Sequence, residues 1–182
     1  MSSRAPLTPA DVLWRELEEW FRDENGVSHP GPEVTFDGLE AADVDGIWQF
    51  LRSSADPISP TQTTWDEKDD VEVSVVAALE RGAVAAARRS PTLLVGLEGV
   101  TAHGVKLPWL GVYICTDAVA FYWWVSDDEG WNAETVAEVA KLIDDLRRLA
   151  PTAQVDVGWD DDRQEFLPSI DRFLSANARV AD

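Results

Sequence analysis

At 182 residues, with 45% apolar side chains and nine Trp, the chain has the length and composition of one globular domain rather than of a disordered segment. Its 34 Asp and Glu against 15 Lys and Arg leave a formal charge of −19, without the clustered cations that a nucleic-acid or anionic-lipid binder needs. Cys115 is the one cysteine and permits no internal disulfide, the N-terminus carries no apolar leader, and no apolar run approaches the ~20 residues of a membrane span. A cytoplasmic protein binding neither nucleic acid nor membrane is expected.

Thr8-Pro9 opens the first predicted helix, because Thr caps well and Pro suits the first helical position. Leu13, Trp14, Leu17, Trp20 and Phe21 follow at helical spacing, and Asn25-Gly26 is the expected stop. A Pro- and Gly-rich loop is expected over 27–38, with at most a short strand at Val34–Phe36. Val44, Ile47, Trp48 and Leu51 predict a helix near 42–54. Residues 57–70, with their Pro, Ser and Thr and the run Asp66-Glu67-Lys68-Asp69-Asp70, are expected to form a solvated loop, and residues 1–7 a flexible end.

Val71, Val73 and Val75 alternate with polar residues and predict a strand. Residues 76–89 read as helix, interrupted at Gly82. Strands are expected at 92–97, 109–115 and 118–125, the last two as a hairpin around Thr116-Asp117. Both members of that hairpin are apolar on both faces, which predicts cover on both sides. Asn132 caps a long helix with a stripe of Val136, Val139, Leu142, Ile143, Leu146 and Leu149, and Pro151 stops it. Val155 and Val157 predict a strand, and 168–176 a final helix. The order of elements points to a single α+β domain. It has a central, mainly antiparallel sheet of about 4–6 strands, packed with N-terminal helices and one long C-terminal helix.

No motif for catalysis or a cofactor survives inspection. Gly99 to Lys106 misses the phosphate-loop pattern, since Val105 stands where Lys is required. His29 and His103 read as loop residues, and Cys115 as a small core residue. One Cys and two His provide no zinc ligand pair, and a calcium loop begun at Asp160 lacks its closing Glu. No cofactor and no metal are expected.

The residues singled out for function are Trp124, Asp127, Asp128, Glu129, Trp131, Trp159, Asp160, Asp161 and Asp162. They place indoles and carboxylates after two strands that can share one end of the sheet. Trp is enriched at protein-binding hot spots, and excess negative charge steers cationic partners. The sequence therefore predicts a non-catalytic, acidic protein-binding module of the immunity or inhibitor type that occludes a basic protein partner. The alternative is an enzyme that works through these carboxylates, with or without a divalent metal.

Overall fold

The computed structural model describes residues 6–22, 29–125, 130–158 and 165–180. Helix α1 (Pro9–Leu17) opens where the sequence predicts. The Thr8 hydroxyl accepts the Asp11 N–H at 3.2 Å, and the Asp11 carboxylate accepts the Thr8 N–H at 2.9 Å. Two otherwise orphaned donors are satisfied reciprocally. A 3-10 turn, Glu18–Trp20, follows, and the expected stop at Asn25-Gly26 lies outside the described residues.

Strand β1 (His29–Asp37) replaces most of the expected loop. Its pairing slips between Pro30 and Glu33, the kind of irregularity at which a strand tolerates residues lacking an N–H. His29, expected in a loop, is the first residue of this strand. Helix α2 (Ala41–Ser53) lies within a residue of its predicted place and buries Val44, Ile47, Trp48 and Leu51.

The segment expected as a solvated loop contains β2 (Thr63–Asp66), which pairs antiparallel with β3 (Val71–Ser74). The charge run is their connecting turn, and it is held by opposite charge. Arg89 donates from Nε to the buried Asp66 at 2.7 Å and from a terminal nitrogen to Asp69. Asp66 also accepts the Lys68 and Asp69 backbone N–H groups. The Arg89 hydrogen bond, more than any other neighbour, holds the Asp66 carboxyl below the usual carboxylate range.

Helices α3 (Val75–Leu79) and α4 (Ala83–Ala87) are broken at Gly82 as expected, with φ +94° there. Asp45 of α2 caps α4 from outside, accepting the Ala83 and Val84 N–H groups at 2.8 and 3.3 Å. Next come β4 (Leu93–Leu97), the small hairpin of β5 (Thr101–Ala102) and β6 (Val105–Lys106), then β7 (Leu110–Ile114) and β8 (Ala118–Val125). Helix α5 (Ala133–Leu149) is capped by Asn132, whose side-chain amide oxygen accepts the Glu134 and Thr135 N–H groups. Leu149, predicted in its buried stripe, is 44% exposed, whereas Glu138 is buried. Strand β9 (Gln154–Gly158) and helix α6 (Phe166–Val180) complete the chain. Helix α6 is longer than predicted because Pro168 stands in its first turn, where an N–H has no intrahelical partner to lose.

The fold is α+β. Five strands form one antiparallel sheet in the order β4-β7-β8-β1-β9. Val34 and Phe36, Leu93, Val95 and Leu97, Leu110, Val112 and Ile114, and Val119, Phe121, Trp123 and Val125 all point to one face and are buried. The buried residues of the helices join them in a single core. Among the described residues no helix is long and apolar enough to cross a membrane.

Alternation puts the intervening residues on the opposite face. That face has no helical layer among the described residues, contrary to the cover predicted from the apolar β7 and β8. The apolar residues there are mostly Gly, Ala, Tyr and Trp, which tolerate partial exposure, so an apolar count overstated the cover.

Candidate functional site

The open face divides into two halves. On β7 and β8 it presents Gly111 and Tyr113, then Ala118, Ala120, Tyr122 and Trp124. The Trp109 ring lies over Gly96 of β4, and the Tyr122 ring lies over Gly111. A methyl group at Gly96 would come within 2.8 Å of Trp109, and one at Gly111 within 2.6 Å of Tyr122. The two glycines are where the rings lie down on the sheet. Trp109 meets Tyr122 edge-on at 5.7 Å between centroids, and Tyr113 lies 5.9 Å from Tyr122. Both separations suit favourable aromatic pairs. Tyr113 and Trp124 are each 36% exposed.

On β1 and β9 the same face carries Glu33, Thr35 and Asp37, then Gln154 and Asp156. Glu33 is paired across the ladder with Tyr122. The Tyr122 hydroxyl is held above the usual tyrosine range, first by its burial, then by Tyr113 and by the Glu33 charge. The five strands contain no Lys and no Arg. A cation approaching these strands meets ring surfaces and carboxylates, with no Lys or Arg among the strand residues themselves.

Of the residues singled out from sequence, Trp124 and Trp131 are the two that can be placed. Asp127, Asp128, Glu129, Trp159, Asp160, Asp161 and Asp162 lie outside the described residues. Trp123 and Trp124 point to opposite faces as strand alternation requires, with Trp123 fully buried and Trp124 exposed. Trp131 donates its indole N–H to the Trp124 carbonyl at 3.1 Å. Its ring turns inward, 4.5 Å from Phe21 and 6.4 Å from Trp123. The structure thus joins the two residues, but Trp131 supports the sheet end and Trp124 faces outward. The Trp123 indole nitrogen is buried and has no hydrogen-bond acceptor among the described residues.

Sequence reasoning passed over Tyr113, Tyr122, Glu33 and Asp37. The period of two in β7 and β8 signalled which residues share a face, but not that the face stays open. Cys115 is a correction: it lies beyond the end of β7 and is exposed, not in the core. Partial burial of its sulfur, with Asp117 and Asp37 nearby, raises its thiol above the usual range and suppresses the reactive thiolate.

His103 does sit at a turn, with φ +47°, but it is not idle. Its Nδ1 lies 3.0 Å from Glu138 and its Nε2 3.3 Å from Asp145, both on α5. Lys141 donates to the second oxygen of Glu138 at 2.5 Å. With both ring nitrogens facing carboxylates, His103 offers no free nitrogen to a substrate. It fastens the β5–β6 hairpin to the long helix. Among the described residues, no three His, Cys, Asp or Glu side chains converge to hold a metal ion. Compared with protein-family models, curated proteins and solved structures, the chain matches none.

Proposed function

We propose that this chain is a protein-binding module whose open sheet face receives a basic partner. The reading is supported above all by the juxtaposition of Trp109, Tyr113, Tyr122 and Trp124 with Glu33, Asp37 and Asp156 on a sheet whose five strands contain no Lys or Arg. Arginine and lysine side chains stack on aromatic rings while pairing with adjacent carboxylates, and each such contact contributes about 0.5–2 kcal/mol as water is excluded. The charge of −19 brings a cationic protein in quickly, and the rings hold it. Such a face suits an inhibitor or immunity protein that covers the basic active surface of another molecule in the cytoplasm.

The test is a nuclear magnetic resonance titration with oligo-arginine as the probe. The expected result is that shifts concentrate on Tyr113, Tyr122 and Trp124, and that Tyr113→Ala with Trp124→Ala weakens binding about tenfold, or about 1.4 kcal/mol. Shifts spread over the helical side, with affinity unchanged in the double variant, mean diffuse attraction to net charge and defeat the proposal.

A further inference from the structure

The two edges of the five-stranded sheet are finished differently. At β4 the edge is plugged. The Gln62 side-chain amide donates to the Gly96 carbonyl at 2.8 Å and accepts the Gly96 N–H at 2.9 Å, as a neighbouring strand would. At β9 no described strand lies beyond, and the closure is slighter. The Val157 N–H, which would meet an added strand, is donated to the carboxylate of the preceding residue, Asp156, at 2.8 Å. Val155, two residues earlier, turns its N–H and carbonyl to the same side. Val155 and Val157 are half-buried against the core, while Asp156 is exposed on the open face.

We infer that β9 is a docking edge, where an extended segment of a basic protein adds as a sixth strand. This inference rests on the reading that the partner is cationic. The occupant is specified by the edge itself. Residues pointing to the core side must be apolar and β-branched, to extend the Val155 and Val157 rows. Residues pointing to the open side must be Lys or Arg, to meet Asp156 and, beyond it, Glu33 and Asp37. Docking displaces the Asp156 carboxylate from the Val157 N–H and transfers it to the incoming cation, so neither polar group is left unpaired. A second copy of this chain is the wrong occupant. Antiparallel pairing of two β9 edges, centred on Asp156, sets it against its own copy, and in any register brings together two bodies of charge −19. The Asp156 side chain at the edge has the placement that blocks pairing of like with like.

The test uses a synthetic peptide of alternating Lys and Val, with a control of the same composition in which Lys and Val are grouped in blocks. The alternating peptide is expected to bind at least tenfold more tightly than the control. Val157→Pro is expected to remove that preference. Residue 157 donates no ladder bond to β1, so Pro suits the position, and circular dichroism checks that the fold is kept. Asp156→Lys reads the same contact through charge and is expected to weaken the alternating peptide at least tenfold, whether or not the proline variant folds. Equal binding of the two peptides, or full binding by Asp156→Lys, overturns the docking edge. The double variant Tyr113→Ala with Trp124→Ala separates the two proposals. Loss there with β9 variants unaffected leaves the aromatic face standing and defeats the edge. Loss in the β9 variants alone supports the edge and counts against the face.

Discussion

A side chain placed at Gly111 must displace the Tyr122 ring, and one at Gly96 must displace Trp109. These glycines act less through backbone freedom than through the volume they leave empty. Gly111→Val is expected to destabilise the fold by about 1–3 kcal/mol, the usual cost of overpacking, as read from urea denaturation. It is also expected to turn Tyr122 outward, seen as loss of the ring contact with Trp109. An unchanged midpoint with Tyr122 still seated defeats this account. At this scale the sequence was legible where chemistry is intrinsic to the residue. Trp123 and Trp124 had to part company on a strand. It was illegible where the answer depends on what lies opposite. Cys115 is exposed because, following the core-facing Ile114, it turns to the face that no described helix covers, and His103 is engaged because α5 presents Glu138 and Asp145 one above the other.

The helices were the most readable elements, since Thr8 and Asn132 caps and i, i+3, i+4 stripes are local signals. The misses share a cause. Strand β1 was read as loop because Pro30 and Pro32 look like breakers, and only the slipped pairing with β8 shows how they are absorbed. Strand β2 was read as loop because its order comes from Arg89, more than twenty residues away in sequence. The same long-range logic governs the β4 edge, where one glutamine does the work of a strand. Gln62→Ala is expected to cost about 1–2 kcal/mol for two lost hydrogen bonds and to bare the Gly96 edge. Concentration-dependent association in sedimentation experiments is the sign to look for. A variant that stays monomeric and equally stable shows that Gln62 is not needed to finish the sheet.

Across the whole molecule, the few cations are placed to tie distant segments. Arg172 of α6 reaches Glu16 of α1 at 2.9 Å, Arg147 of α5 reaches Asp171 of α6 at 2.5 Å, and Arg89 secures the β2–β3 turn. The Glu16 carboxyl is lowered first by Ser169 and then by Arg172, and Asp66 is lowered first by Arg89. The folded state therefore holds these protons less tightly than the unfolded chain. Their contribution is present above the ordinary carboxylate range and is lost as pH falls through their lowered folded values. Thermal midpoints are expected to drop over that acid window, and less steeply in a Glu16→Gln, Asp66→Asn variant. Parallel curves for the two proteins contradict the assignment. The buried indole of Trp123 has a further consequence for watching such transitions. Buried against Phe121 and Trp131, with no acceptor among the described residues, it is expected to emit toward the blue end of tryptophan fluorescence, and the exposed Trp65 and Trp124 toward the red end. The molecule thus carries its own two-colour gauge, in which a loosening interior and an occupied exterior move the spectrum in opposite directions.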